Sequence, residues 1–156
     1  MTVIDDLLTW EDHALTHIDS VWDAESAQIT TVEDIREYID SLIETYFVGN
    51  KELVDPEVWF QLAVMTKHAN ISLDKDFVWQ TLCNKQRDYG SENIVRFGHR
   101  GLIVRLHDKV ARLENLLDSG RLPENEAVED TYLDIVGYST IGLMLLDGSF
   151  LKQMAD

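Results

Sequence analysis

Three clusters of charged side chains in the second half of the chain have residue types and spacing that suit chemistry. The first is Lys85-Gln86-Arg87-Asp88-Tyr89-Gly90, followed by Ser91, Glu92 and Asn93. Such a loop presents backbone N–H groups and cations to a phosphate, or carboxylates to a metal ion. By composition alone it reads first as an ordinary helix end, with Lys85 and Arg87 complementing the dipole and Gly90 stopping the helix. The second cluster is Arg105, Lys109 and Arg112, spaced four and three apart on one side of a helix. That strip could receive a triphosphate, or be a solvated face with Asp108 pairing locally. The third is Glu126, Glu129, Asp130 and Asp134. Glu126, Asp130 and Asp134 follow one another at intervals of four, so three carboxylates share a helical face and repel each other. Asp134 also enters an apolar stretch, where an unpaired carboxylate is costly. Lys109 or Arg112 can answer it across a bundle, or the acids can hold Mg²⁺, which takes oxygen ligands and bridges to phosphates. A bound divalent ion could then orient a water for attack on a phosphoryl group.

The remaining candidates are weaker. Glu33, Glu37, Asp40 and Glu44 line one helix face opposite a clean apolar stripe, the pattern of a solvated surface. His13, His17, His68, His99 and His107 show no zinc-ligand arrangement with cysteine. Cys83 stands alone, so no internal disulfide can form, and its apolar neighbours suit a buried small hydrophobe. The chain contains no Walker loop, no dinucleotide-binding glycine pattern and no nucleophile elbow.

Charge narrows the partner. The net charge of −16 opposes direct binding to nucleic acid or to an anionic membrane. Residues 1–75 hold 16 acids against four bases, whereas the segment from Lys85 to Arg121 holds eight bases against five acids. One basic island in an acidic chain suits a small phosphorylated ligand better than a polymer. No run approaches the roughly 18 apolar residues a membrane span needs, and the start lacks the basic and apolar regions of a signal peptide. The expectation is a cytoplasmic protein.

The elements that must position these residues are helical. An apolar fraction of 45% exceeds that of disordered chains, and only Pro56 and Pro123 interrupt. Thr2 with Asp5 reads as a helix cap, followed by Ile4, Leu7, Leu8, Leu15, Ile18 and Trp22 at helical spacing. The pattern breaks over Gln28–Thr31. Thr31 with Asp34 caps a second helix, whose stripe is Val32, Ile35, Ile39, Leu42, Ile43 and Tyr46, ending near Gly49. Asp55-Pro56 opens a third helix to about Asn70. Ser72 or Asp74 opens a fourth through Phe77, Val78, Leu82 and Cys83 to Asp88-Tyr89-Gly90. From Arg100 comes a stripe of Ile103, Leu106, Val110, Leu113 and Leu117, closed by Gly120. Glu124 or Asn125 opens the last helix, about Glu126 to Leu146, apolar nearly all round after Asp134 and so central. Gly137 and Gly142 within it mark close helix contact or ligand approach. The fold class is all-α, a bundle of about five or six helices. It divides into an acidic helical region, 1–75, and a core, 76–156. The N-terminal helices either pack on that core or mediate a homodimer.

Taken in order, Lys85-x-x-Asp88-Tyr89-Gly90, then Gly101-Leu102-Ile103-x-Arg105-Leu106-x-Asp108-Lys109-x-x-Arg112-Leu113-x-x-Leu116-Leu117, then Glu129-Asp130-Thr131-x-x-Asp134-Ile135-x-Gly137-Tyr138 resemble nucleotide modification associated domain 1. That family is common in bacteriophages, and the match covers about residues 80–147. The resemblance implies an α-helical domain tied to phage nucleotide metabolism or DNA base modification, acting in the host cytoplasm. It raises Asp88, Lys109, Arg112, Asp130 and Asp134 as site residues. A looser similarity is to MazG-like and all-α dUTPase-like nucleotide pyrophosphohydrolases, bundles that hold Mg²⁺ on two facing acidic helices. Here the second acidic motif is not evident.

These lines give one expectation and one rival. A nucleoside phosphate sits between the Asp88–Glu92 loop, the Arg105–Arg112 helix and the Glu126–Asp134 helix. Lys85, Arg105, Lys109 and Arg112 meet phosphate, Asp88 lies at the ligand and Tyr89 stacks on the base. Asp130 and Asp134, with Glu126, hold Mg²⁺ and serve as the catalytic acids for pyrophosphate release from a nucleoside triphosphate. The rival is a non-catalytic interaction protein whose acidic N-terminal half binds a basic host or phage protein.

Overall fold

The computed structural model describes residues 7–25, 30–119 and 125–156, the side chains of 125–127 excepted. The expected Thr2–Asp5 cap, positions 28 and 29, Gly120, Glu124 and the Glu126 side chain lie outside these residues. Among the described residues the chain is all-α, with seven α-helices and no strand.

Helix α1 (Trp10–Asp23) opens at Thr9, whose hydroxyl accepts from the Asp12 N–H while the Asp12 carboxylate accepts from the Thr9 N–H. This reciprocal cap contributes about 1 kcal/mol. Leu7 and Leu8 precede it and are exposed, not part of an apolar stripe. The other end of α1 carries no basic residue in its last turn. Lys67 replaces one from a distance: its ammonium donates to the carbonyls of Val21, Trp22 and Ala24 at 3.1, 2.7 and 3.0 Å. Helix α2 (Val32–Leu42) has the expected Thr31–Asp34 cap and buries Ile35, Ile39 and Leu42. It widens into a π-helical turn, Ile43–Val48, that stops at Gly49. A Cβ on Gly49 would lie 2.8 Å from the Thr45 carbonyl oxygen, so the tight stop requires glycine there.

Helix α3 (Pro56–Ala69) follows the Asp55 cap, and α4 (Lys75–Tyr89) follows Asp74 rather than Ser72. A one-turn helix, α5 (Glu92–Val95), bridges to α6 (Gly98–Asp118). Phe77 and Leu117, expected inside, are half-exposed. Helix α7 (Asn125–Asp147) packs against α1, α3, α4 and α6 and is the bundle's axis. Residues from Trp10 to Phe150 share one core, so the N-terminal helices pack on the C-terminal ones.

Trp59 of α3 is fully buried and lies flat on Gly142 of α7. Its indole N–H donates to Nδ1 of His99 at 3.0 Å, which places the proton of the neutral imidazole on Nε2. Burial lowers the pKa of His99 from the ordinary 6.5. The folded state therefore favours the neutral ring. Its contribution is complete above about pH 6.5 and is lost as pH falls through the lowered folded value. Glu11 and Asp147 also have lowered pKa values: burial opposes the shift, but hydrogen bonds to Glu11 from Ala155 and Arg87, and to Asp147 from His17 and Ser149, outweigh it. Their contributions are full above the ordinary values of 4.5 and 3.8 and disappear only below them. We expect the melting temperature to begin falling between about pH 7 and pH 5, before those acids titrate. The variant His99→Gln keeps an acceptor for Trp59 without a titrating group. Its melting temperature must depend less on pH over that range, and an unchanged slope would assign the effect elsewhere.

Candidate functional site

The axis helix presents one face, with Leu133, Asp134, Gly137, Tyr138 and Ile141, to a cleft of about 320 Å³. Contacts across that face set the walls. Asp134 meets Lys85 while the Gly137 level meets Leu82, so α4 runs antiparallel to α7. Asp134 also meets Lys109 while Tyr138 meets Arg105, so α6 runs antiparallel to α7 on the other side. The connector between α4 and α6 closes one flank through Gly90, Asn93 and Ile94. Gly90 ends α4 at φ +70°, a backbone conformation natural to glycine, and Gln86 donates to the Ser91 hydroxyl at 2.9 Å to hold the turn.

The charged end of the cleft centres on Asp134. Its two oxygens accept from the ammonium groups of Lys85 at 2.6 Å and Lys109 at 2.9 Å. The carboxylate is only 13% exposed, so this double pairing answers the cost of placing it in an apolar helix. Burial opposes the charge on Lys85, but the hydrogen bond and charge of Asp134, helped by Tyr138 and Asp130, raise its pKa above the lysine norm. Each ammonium keeps two further N–H donors. Arg105 pairs with no carboxylate among the described residues, and its guanidinium lies 5.9 Å from the centre of the Tyr138 ring. Three cations thus face one carboxylate, a local net of +2 in a chain of −16.

Five of the expected site residues line this cleft: Lys85, Tyr89, Arg105, Lys109 and Asp134. The others do not. Asp88 is exposed, because three residues past Lys85 is a rotation of about 60° off the cleft side of α4. Arg112 is exposed on the turn of α6 beyond Lys109. Asp130 is exposed one turn before Asp134, near enough for its charge to act on Lys85 but outside the lining. Glu129 is turned to the α3–α4 connection, where it accepts from the Ser72 hydroxyl at 2.8 Å. Gln86 and Asn93 of the first cluster, which were given no role of their own, also line the cleft, as does Ile94, which was not singled out.

Two further bases of the island are engaged away from the cleft. Arg87 pairs with Glu11 at 2.6 Å, and Arg100 lies over the Phe47 ring while donating to the Phe47 carbonyl and to Asn50. The α2 acids Glu33, Glu37, Asp40 and Glu44 are exposed, as a solvated face requires. The histidines are dispersed: His17 pairs with Asp147, His107 with Arg36, His68 with the Val64 carbonyl and His99 with Trp59. Burial pushes the Cys83 thiol up to about 11, which leaves it unsuited to nucleophilic work at neutral pH.

The donor set bears on Mg²⁺. Among the described residues no three His, Cys, Asp or Glu side chains gather as metal ligands. Asp134 is directed at two ammonium groups, and Asp130 stands outside the lining. Among the described residues, this donor set does not fit a resident cation, and the Glu126 side chain lies outside them.

No family model matches this sequence, no curated protein matches it, and no solved structure matches its fold. Among the described residues no helix is long and apolar enough to cross a membrane. Fold and site together define an all-α bundle with a cationic cleft on its axis helix.

Proposed function

We propose that the cleft binds a nucleoside phosphate, and that the chain is a nucleotide-handling protein of the phage type suggested by its three motifs. The observation that carries this reading is that Lys85 and Lys109 at Asp134, and Arg105 one turn further along at Tyr138, line a single cleft together with apolar side chains. Phosphate takes the charge-assisted N–H donors of the three cations. The nucleoside takes the apolar part past Asp134, bounded by Leu82, Gly137 and Ile141, while Tyr89 stands at the opposite rim, one turn past Lys85. The volume falls at the small end of ligand cavities, which suits one nucleotide rather than a strand. Magnesium, on this reading, arrives with the phosphates and is not held by Asp130 and Asp134. Hydrolytic release of pyrophosphate from a nucleoside triphosphate is therefore outside the proposal.

Calorimetry with a panel of ribo- and deoxynucleoside mono-, di- and triphosphates, with and without Mg²⁺, tests it. Arg105→Ala removes a cation that supports no ion pair among the described residues, so the fold should persist. Its affinity for the best nucleotide should fall roughly tenfold to a hundredfold, the worth of one or two charged hydrogen bonds. Arg112→Ala, outside the cleft, should change it less than about twofold. Equal losses in both variants would mean general charge attraction and no site. If no nucleotide binds the native chain, the acidic interaction reading takes its place.

A further inference from the structure

The two glycines in the middle of α7 have different causes. A Cβ on Gly142 would lie 2.5 Å from three atoms of the Trp59 indole, so packing alone demands glycine there. A Cβ on Gly137 would meet just one atom within 4 Å, Cδ1 of Leu82 at 3.4 Å, an ordinary contact with the end of a flexible side chain. Packing does not require Gly137. Glycine within a helix nevertheless costs up to about 1 kcal/mol relative to alanine. Gly137 is buried, and it lies on the cleft floor.

Its position along the cleft is specific. Asp134, with Lys85 and Lys109, marks the charged end. Gly137 is one turn further along α7, and Ile141 one turn beyond that. At the Gly137 level the walls are Leu82 and the Arg105–Tyr138 pair. A methyl group here would project into the space just past Lys85 and Lys109 and beside Arg105, and its absence leaves helix backbone as the floor.

We propose that Gly137 is a specificity-determining residue: it opens the floor so that a flat, apolar group joined to the phosphate lies directly on the α7 backbone. The ligand class this selects is a phosphate ester of an aromatic base, as opposed to an inorganic polyphosphate or a bare phosphate. The inference rests on the nucleoside-phosphate reading and deepens it by separating the part of the cleft that holds phosphate from the part that holds the base.

The test uses the full chain and Gly137→Ala, with two probes, pyrophosphate and the nucleoside diphosphate that binds best. The variant should melt about 2–4 °C higher, through the gain in helix propensity. Its affinity for the nucleoside diphosphate should fall at least about tenfold, the effect of one misplaced methylene-sized group in a tight pocket. Its affinity for pyrophosphate, which carries no base, should stay within about twofold of native. Equal losses for both probes, or no loss for either, would overturn the role of Gly137 while leaving the cleft an anion site. Failure of the native chain to bind either probe would overturn the nucleotide reading itself, and the inference with it.

Discussion

Gly142→Ala lowers the stability of the fold by about 2–3 kcal/mol, although the same substitution at an unhindered helix position would raise it by up to 1. The sign is set by Trp59. The added methyl would overlap the indole at 2.5 Å, and a fully buried aromatic ring cannot yield as a surface side chain does. Trp59 is also tied through its N–H to His99 on α6, so moving the ring breaks a hydrogen bond as well as a contact. Three helices meet at that point, and the strain is shared among them. Urea unfolding followed by tryptophan fluorescence reads the outcome: the midpoint should fall with little change of slope. A neutral or stabilised Gly142→Ala would mean that α3 does not lie against the middle of α7. Because Gly137→Ala is expected to shift stability the other way, the two variants together report which side of α7 is packed and which is open.

The helices were largely legible in the chain because capping residues and apolar stripes agreed with each other. Thr31–Asp34 and Asp55-Pro56 each combine a cap with the right periodicity, and both open helices as expected. The first helix shows the limit of that signal. Thr2-x-x-Asp5 and Thr9-x-x-Asp12 spell the same cap seven residues apart, so the apolar register fits either start. What marks the start at Thr9 is tertiary: Trp10 is fully buried, its backbone N–H donates to the Gln153 carbonyl, and its ring lies edge-on to Phe150. Local pattern carries no information about a partner 140 positions away. Helix α5 escaped notice for a related reason, since one turn with a single buried residue, Ile94, has no period to detect.

Within the cleft, spacing identified which helices contribute but not where the cleft ends. Arg105, Lys109 and Arg112 share a helix side, yet the cleft engages only the first two, because its length is set by α4 and its connector. The carboxylate ladder divides in a similar way. Glu126, Asp130 and Asp134 have the spacing of a metal face, but Asp134 alone reaches the apolar part of α7, where the two lysines meet it. Gly137 is the residue whose meaning the chain half-disclosed: a glycine in a buried helix is costly, but only coordinates distinguish a tight neighbour from an open floor.

Asp134→Asn is the substitution that separates an anion site from a metal site. Asparagine keeps the size and one acceptor oxygen, but it turns an amide N–H₂ toward one of two ammonium groups that now sit 2.6 and 2.9 Å from carboxylate oxygens. The lysines lose their shared counter-charge. Breaking a largely buried pair costs about 3–5 kcal/mol; here the Lys85 side chain is 47% exposed and its half is screened, so the expected loss is about 1–2 kcal/mol. Phosphate affinity should move the opposite way. A carboxylate a few ångströms from a bound phosphate repels it, and removing that charge strengthens binding by roughly tenfold at the effective dielectric of a protein surface. The variant is therefore less stable alone, yet gains more from ligand: its melting temperature should rise further than that of the native chain at saturating pyrophosphate. A carboxylate that held Mg²⁺ would behave otherwise, because its loss would weaken Mg²⁺-dependent nucleotide binding and leave pyrophosphate without Mg²⁺ unaffected. Calorimetric titration of both proteins, with and without the ion, yields opposite signs for the two roles, and tighter binding by Asp134→Asn identifies Asp134 as the counter-ion that holds Lys85 and Lys109 together until a ligand arrives.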